Sequence, residues 1–209
     1  MKKKLVGIID YDCGNLHSIK NAFNKIKVNN IIIKDSSTLK KATHLVLPGV
    51  GAYDKAMKTL HNLKLIPSIK KFHNDKKPIL GICLGMQLLF DNSSENKLTK
   101  GLGLMRGKVI KINYSFPYKT PIVGWNQIKL NSKNKNNLFN GIKNNSYFYF
   151  IHSFMVVPKN FKNNLFITYE LMKKKIIAAT AKENIFGCQF HPEKSGKSGM
   201  KVLKNFISI

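Results

Sequence analysis

The chain has 209 residues and a formal net charge of +26, from 36 lysine and arginine residues against 10 aspartate and glutamate residues. No apolar run approaches the roughly 20 residues that span a bilayer, and the run after Lys4 ends at Asp10, too soon for a signal peptide. The positive charge is scattered lysine with a single arginine, Arg106, whereas nucleic-acid readers favour arginine, so we expect no nucleic-acid and no membrane partner.

Strand and helix patterns alternate through the first half of the chain. Short apolar runs predict strands, and apolar residues at helical spacing predict the helices between them. The predicted strands cover residues 4–9, 31–33, 44–47 and 79–82, and the predicted helices cover residues 15–26, 53–60 and 65–73, with another starting near residue 86. This order predicts a parallel sheet with helices on both faces.

Strand patterns dominate the second half. They cover residues 104–112, 122–130, 147–157, 165–169, 176–181 and 185–190, and an amphipathic helix is predicted over residues 199–207. Residues 131–146 are rich in asparagine and lysine, which predicts a mobile turn between strands. Because the chain shows no internal repeat and no linker, we expect one domain over residues 1–209.

Cys83 lies between a predicted strand and a predicted helix, with Gly81 and Gly85 two residues away on either side. This spacing matches the G-x-S-x-G nucleophile elbow, with sulfur in place of oxygen. A helix N-terminus behind the cysteine favours thiolate over thiol, and a thiolate can attack a carbonyl carbon. The alternative is a buried cysteine in an ordinary strand-to-helix turn, so the chain must also supply a base.

His191 follows the strand pattern of residues 185–190 and precedes Pro192 and Glu193. The Glu193 carboxylate could orient the imidazole and stabilise its protonated form, which would complete a Cys–His–Glu triad with Cys83. A lone histidine at a strand end is more often a surface residue. Its combination with the cysteine elbow favours the catalytic interpretation.

The three cysteines, Cys13, Cys83 and Cys188, are widely spaced and contain no CxxC pair. An odd number at such spacing predicts neither a disulfide framework nor a zinc site. A reduced, cytosolic compartment suits a thiolate enzyme, so we expect a cytoplasmic protein.

Three strings of the chain resemble the signatures of the class I (triad) glutamine amidotransferases: residues 48–53 (PGVGAY), 81–87 (GICLGMQ) and 189–195 (QFHPEKS). Gly14 with Asn15, residues 124–126 (GWN) and residues 149–153 (YFIHS) narrow the resemblance to the glutaminase subunits of imidazole glycerol phosphate synthase, from histidine biosynthesis. The similarity runs from about residue 5 to about residue 207. It implies a flavodoxin-like α/β fold, with an open mixed sheet that is largely parallel, helices on both faces and an added antiparallel strand region.

The resemblance also implies an activity and a set of site residues. Cys83 would attack the side-chain amide of glutamine, His191 would protonate the leaving ammonia, and hydrolysis would release glutamate without a metal or organic cofactor. Glu193 would be the third member of the triad, and the backbone N–H groups of Val50 and Leu84 would bind the oxyanion. The residues implied to bind the substrate are Gly49, Gly51, Gln87, Glu95, Ser153 and Phe154.

The resemblance further implies a heterodimer with a (β/α)₈ cyclase subunit. That subunit would receive the ammonia through a channel, and the lyase-type synthase would form imidazole glycerol phosphate and AICAR. Asn15, Trp125 and Lys194 match partner-facing positions of the family. Their ordinary roles would be a helix cap, a core aromatic residue and a surface lysine. An acidic partner surface would also suit the lysine-rich chain.

Two positions depart from the family pattern. Asp12 stands where glycine is usual, and Ile122 with Val123 stands where a histidine-methionine pair is typical. Both lie near partner-facing segments and leave open a paralogous glutaminase that serves another synthase, such as one making nitrogen-bearing sugars of surface glycans. The GWN string argues against a glutaminase of pyridoxal phosphate synthesis. A third alternative is a basic nucleic-acid-binding protein with a relict triad. It predicts nucleic-acid binding that depends steeply on salt concentration.

Overall fold

A mixed sheet of nine strands forms the centre of the fold in the computed structural model, which describes residues 4–12, 14–113, 120–130, 136–159 and 165–209. In spatial order the strands are β2 (Asn29–Ile33), β1 (Leu5–Ile9), β3 (His44–Leu47), β4 (Ile79–Ile82), β13 (Ile185–Cys188), β12 (Lys174–Lys182), β11 (Leu165–Leu171), β8 (Ile122–Lys129) and β9 (Tyr147–His152). Neighbours from β2 to β13 are parallel, and neighbours from β13 to β9 are antiparallel. The predicted open mixed sheet with an antiparallel extension is confirmed.

Helices cover both faces of this sheet because successive strand residues point to opposite sides. Val46 packs into one core cluster together with residues of α1 (Leu16–Lys25) and α6 (Gly196–Ser208). Leu45 and Leu47, its neighbours on β3, pack into the other cluster. That second cluster is completed by α2 (Ser36–Lys41), α3 (Tyr53–Asn62), α4 (Ile66–Asn74) and α5 (Leu84–Leu88). In the described part of the chain, no helix has the length and apolar character needed to cross a membrane.

The helix α2 was not predicted, although the sequence marks its start. The Asp35 carboxylate accepts a hydrogen bond from the Thr38 N–H at 2.8 Å, which is the usual N-cap arrangement. The helix has only six residues and one buried side chain, Leu39, so it leaves almost no periodic apolar pattern.

A second, four-stranded sheet contains β10 (Phe154–Pro158), β7 (Gly107–Lys111), β5 (Asn92–Ser93) and β6 (Thr99–Lys100), in that order. The prediction of one strand over residues 147–157 is therefore wrong. The run breaks at Ser153, whose carbonyl accepts a hydrogen bond from the Ile112 N–H at 2.9 Å, and the two halves join different sheets. The apolar run contains no glycine or proline before residue 158, so nothing in its pattern marks the break.

The segment of residues 131–146 connects β8 to β9, as predicted, but part of it packs into the core. Residues 131–135 lie outside the described residues, as does Cys13. Residues Asn137–Phe139 form a 3₁₀ turn in which Leu138 and Phe139 are buried. Asn205 of α6 donates through Nδ2 to the carbonyls of Leu138 and Asn140, at 2.9 and 2.8 Å. The polar composition hid a segment that is packed against the last helix.

Candidate active site

Cys83 occupies a strained turn between β4 and α5. Its φ of 52° and ψ of −108° belong to a region that side-chain-bearing residues rarely adopt. The turn is possible because glycine flanks it: a Cβ on Gly81 would lie 2.5 Å from the carbonyl oxygen of Gly85, and one on Gly85 would lie 1.9 Å from that of Leu47. The local geometry is that of a nucleophile elbow.

His191 reaches this turn because of strand order. Strand β13 pairs with β4 in parallel, with Cys188 opposite Ile82, so both chains leave the sheet at the same edge. The Cys83 N–H donates to the carbonyl of Cys188 at 2.7 Å, which ties the turn to the neighbouring strand end. Ligand sites of open α/β sheets form at this carboxyl edge.

His191 and Glu193 form a buried pair. Their side chains have no solvent exposure, and Nδ1 of His191 lies 2.8 Å from Oε1 of Glu193. Burial alone lowers the pKa of His191, but the side chains of Cys83 and Glu193 more than offset it and raise that pKa to about 10. The carboxylate on one side and the cysteine sulfur on the other therefore favour the protonated form of the imidazole. This is the charge state in which a histidine can donate a proton to a leaving group.

A hydroxyl that the sequence interpretation did not single out holds this histidine segment in place. Ser195 Oγ donates to the carbonyl of His191 at 2.6 Å and accepts from the N–H of Tyr149 at 3.0 Å. The N–H of His191 donates to the carbonyl of Tyr149 at 2.9 Å. Ser195 belongs to the quoted QFHPEKS string, and its position four residues after the histidine was the signal that could have identified it.

Most of the predicted substrate residues meet in one small pocket beside Cys83. The pocket has a volume of about 170 Å³, well below the roughly 300–1,000 Å³ of drug-sized ligand sites, so it suits a ligand the size of an amino acid. Its lining residues are Val50, Gly51, Cys83, Leu84, Gln87, Glu95, Pro121, Ile151, His152, Ser153 and Phe154. Gly49 is not among them. A Cβ on Gly49 would lie 2.9 Å from Leu84 Cβ and from the Tyr11 hydroxyl, so its role in the structure is close packing behind the pocket.

Glu95 provides the carboxylate of the pocket. Its Oε2 accepts a hydrogen bond from the Tyr53 N–H at 2.8 Å, at the first residue of α3. Burial raises the pKa of Glu95, the Tyr53 N–H opposes this rise, and the charge of Asp54 adds to it. A ligand ammonium group would offset the cost of this buried charge.

The two residues predicted to bind an oxyanion both line the pocket that contains Cys83. Leu84 is the first residue of α5, where backbone N–H groups lack helical partners. Val50 follows Gly49 in the loop after β3, and its carbonyl accepts a hydrogen bond from the Gly14 N–H at 3.1 Å. The loops after β1 and β3 are therefore connected at the edge of the site.

The three residues matched to partner-facing positions have different surroundings. Asn15 occupies the N-cap position of α1 with a φ of 78°, but its side chain does not cap the helix and donates to Oε1 of Glu193 instead. Trp125 is 53% exposed and packs edge-on against Tyr149, with ring centroids 6.0 Å apart. The Lys194 ammonium lies 5.9 Å from the centre of the same Tyr149 ring. Tyr149, which sequence analysis did not assign a role, thus joins Trp125 to Lys194.

Within the described ranges, no group of three or more histidine, cysteine, aspartate or glutamate residues is arranged to hold a metal ion. The titratable groups of the site are those already named, together with His152, whose pKa burial lowers to about 4. The reactive side chains gathered at this edge are the sulfur of Cys83, the imidazole of His191 and the carboxylate of Glu193.

Comparison with known proteins identifies the family of this chain. The sequence profile of the family described as glutamine amidotransferase class-I matches residues 8–209. The chain is 47% identical over 205 residues to imidazole glycerol phosphate synthase subunit HisH 2 of Methanococcus maripaludis, covering 97% of this chain and 98% of that protein. It is 42% identical over 206 residues to imidazole glycerol phosphate synthase subunit HisH 1 of Campylobacter jejuni, covering 98% and 100%.

Solved structures with lower identity share the fold. The structure of PurLQS from Thermotoga maritima superposes with a TM-score of 0.75 at 20% identity, covering 99% of this chain and 98% of that chain. The glutaminase domain of Trypanosoma brucei CTPS with bound acivicin gives a TM-score of 0.68 at 11% identity, covering 98% and 94%.

Proposed function

This chain belongs to the class-I glutamine amidotransferases, and we propose that it is the glutaminase subunit of an imidazole glycerol phosphate synthase, an enzyme of histidine biosynthesis. The observation that carries the catalytic part is the buried His191–Glu193 pair beside Cys83 at one sheet edge. The relatives described above, which cover almost the whole chain, carry the name of this subunit, so a paralogous glutaminase for another synthase is not favoured.

The proposed reaction proceeds in two steps. The Cys83 thiolate attacks the side-chain amide carbon of glutamine, and the tetrahedral intermediate collapses to a thioester as the His191 imidazolium gives its proton to the leaving ammonia. Water then adds to the thioester, neutral His191 accepts its proton, and glutamate leaves with regeneration of the thiolate. Glu193 holds the imidazole through Nδ1, which leaves Nε2 for both proton transfers.

The oxyanion and substrate contacts follow from the pocket. We assign the oxyanion to the backbone N–H groups of Val50 and Leu84, because both residues line the pocket beside Cys83. The Glu95 carboxylate pairs with the α-ammonium group of glutamine. Gln87 donates through Nε2 to Phe154 and Gln189, so its contact with the substrate is made by the amide oxygen.

Backbone groups of the turn between β9 and β10 complete the substrate contacts. The carbonyl of Ser153 accepts from Ile112, and the carbonyl of Phe154 accepts from Gln87 and from the ring of His152. Because both carbonyls already accept hydrogen bonds, we assign the contact with the α-carboxylate of the substrate to the backbone N–H groups of Ser153 and Phe154. Gly49 and Gly51 shape the loop that carries Val50.

The partner we propose is the (β/α)₈ cyclase subunit, bound as a heterodimer over the mouth of the site. Three exposed apolar residues support this position: Val50, which lines the pocket, and Val123 and Trp125 on β8, where Val123 lies opposite the pocket residue Ile151. They are 42%, 56% and 53% exposed. Lys194, held over the Tyr149 ring, adds a cation to this surface. Ammonia released against this cover passes to the cyclase instead of to water. The compartment we propose is the reducing cytoplasm, which suits thiolate chemistry.

The proposal is tested by measuring glutamate release from glutamine by the full-length chain, with and without the cyclase subunit and its nucleotide ligand. We expect turnover that the loaded cyclase stimulates and that Cys83→Ala abolishes. Cys188→Ala is the matched control, because Cys188 is a buried cysteine on the neighbouring strand that takes no part in the reaction. If no cyclase subunit binds or stimulates the chain, the assignment to histidine biosynthesis is wrong. If Cys83→Ala still turns over glutamine, the proposed mechanism is wrong.

A further inference from the structure

The reacting sulfur has a polar neighbour that the triad does not use. Gln189 Nε2 lies 3.6 Å from Cys83 Sγ, and the Gln189 side chain is fully buried. The backbone N–H of Gln189 donates to the carbonyl of Ala178 at 2.8 Å, so the residue continues the pairing of β13 with β12. Its amide therefore approaches the sulfur from the same strand end as His191, two residues later in the chain.

The orientation of this amide is set by groups other than the sulfur. The carbonyl of Phe154 accepts a hydrogen bond from Gln87 Nε2 at 3.2 Å, and because a main-chain carbonyl can only accept, the NH₂ end of Gln87 is fixed there. The same NH₂ group donates to Gln189 Oε1 at 3.2 Å. The oxygen of Gln189 is thereby held toward Gln87, and its own NH₂ group faces Cys83.

Besides the His191 imidazole, two polar groups beside the sulfur distinguish its protonation states. The carbonyl of Ile151, 3.6 Å from Sγ, can accept a hydrogen bond from a thiol but has nothing to offer a thiolate. The NH₂ group of Gln189 can only donate, so it stabilises the sulfur most when the sulfur is negatively charged. The carbonyl of Ile151 therefore stabilises the thiol form of Cys83, and the NH₂ group of Gln189 stabilises the thiolate form.

The helix behind Cys83 stabilises a thiolate less than the sequence suggested. Helix α5 has only five residues, so few peptide dipoles are aligned toward the sulfur. A directed hydrogen bond from a buried amide is a stronger local source of stabilisation for an anion than so short a helix.

We propose that Gln189 stabilises the Cys83 thiolate by donating a hydrogen bond to Sγ, and that Gln87 is a positioning residue that holds Gln189 in the donating orientation. The inference rests on the proposed function, because it takes the thiolate of Cys83 as the nucleophile. Gln189 touches the reacting atom, whereas Gln87 acts on the sulfur through Gln189.

The test measures the rate of alkylation of Cys83 by iodoacetamide in the full-length chain as a function of pH, with modification at Cys83 quantified by peptide mass spectrometry. Only the thiolate displaces iodide, so the midpoint of the rate profile reports the thiolate population. We expect Gln189→Met, which keeps the length of the side chain and removes the donor, to move the midpoint upward by about one pH unit. Gln87→Met should move it in the same direction by less, because the freed amide of Gln189 still donates part of the time.

Gln127→Met is the matched control, since Gln127 is the remaining glutamine of the chain and lies on β8, opposite Tyr147. Its profile should coincide with that of the wild type. If wild-type Cys83 reacts no faster at neutral pH than free cysteine, the proposed nucleophile itself is wrong. If the wild type reacts as a thiolate and Gln189→Met keeps the wild-type midpoint, this inference is overturned. If thermal unfolding shows that Gln189→Met does not fold, the Gln87→Met midpoint decides: an unchanged midpoint overturns the inference.

Discussion

Asn15 donates a side-chain hydrogen bond to Oε1 of Glu193, although 178 positions separate the two residues in the chain. The same carboxylate oxygen faces Nδ1 of His191, so one atom of the proposed triad is shared between the imidazole and the loop after β1. The N–H of Gly14, the preceding residue, donates to the carbonyl of Val50. Two adjacent residues of one loop therefore contact the triad and the loop that carries the proposed oxyanion donor.

Asn15→Gly removes this hydrogen bond without straining the backbone, because glycine accepts the φ of 78° found at this position. We expect kcat for glutamate release in the cyclase complex to fall about tenfold, since a hydrogen bond to a charged group is worth about 1.5–3 kcal/mol and Glu193 keeps its contact with His191. Steady-state kinetics with saturating glutamine provide the measurement.

The control for Asn15→Gly is Lys27→Gly, which places glycine at another left-handed position, just beyond the end of α1, with a φ of 58°. Its kcat should equal that of the wild type. An Asn15→Gly enzyme with wild-type kcat would show that this hydrogen bond does not support the triad.

Cys83→Gly should be inactive yet more stable than Cys83→Ala. Both variants lose the sulfur, but only glycine adopts the φ of 52° and ψ of −108° without strain. Strain of this kind destabilises Cys83→Ala by about 1–3 kcal/mol, whereas the extra chain entropy of glycine destabilises Cys83→Gly by about 0.5–1 kcal/mol. We therefore expect the free energy of unfolding of Cys83→Gly to exceed that of Cys83→Ala by about 1 kcal/mol. Denaturant titration of the two variants measures it. Equal stabilities would mean that the elbow stores no backbone strain.

Glu193→Gln should shift the alkaline limit of glutaminase activity. In the proposed mechanism the imidazolium of His191 must be present to protonate ammonia, so activity falls as pH rises through the pKa of His191. The Glu193 carboxylate is one of the groups that raise this pKa to about 10. Its removal therefore lowers the pKa of His191 and moves the alkaline decline to lower pH. The pH profile of kcat in the cyclase complex is the measurement.

Glu183→Gln makes the same change of charge at a surface position, where the carboxylate is bound by Lys76 at 2.7 Å. It should leave the pH profile unchanged. A Glu193→Gln profile whose alkaline limb coincides with that of the wild type would contradict the role given to the carboxylate.

Trp125→Ala should weaken binding of the cyclase without changing the fold of the free subunit. The side chain is 53% exposed, so little of the core depends on it, while exposed tryptophans at the centre of interfaces are typical hot spots of at least about 2 kcal/mol. We expect the dissociation constant, measured by isothermal titration calorimetry, to rise at least about 30-fold. Leu98→Ala is the control: Leu98 is 78% exposed, but it lies beside β6 of the second sheet. Equal affinities of the two variants would exclude Trp125 from the interface.

Much of the fold could be predicted because its signals are local. The strands β1, β3 and β4 and the helices α1, α3, α4 and α6 each show their own apolar period, and the glycines around Cys83 mark the elbow. What escaped prediction lacks a local signal. The unbroken apolar run around Ser153 conceals a change of sheet, and the polar composition before Ser146 conceals the buried Leu138 and Phe139.

The sequence by itself determined which groups can react: one cysteine between spaced glycines, and one histidine two residues before a glutamate. Tertiary structure decided which further groups act on them. The insertion of β13 between β4 and β12 brings Gln189 to the sulfur, and the packing of the loop after β1 brings Asn15 to Glu193. Such contacts depend on strand order and register. These are set by the packing of the sheet into its two core clusters and leave no mark on the residues nearby in the chain.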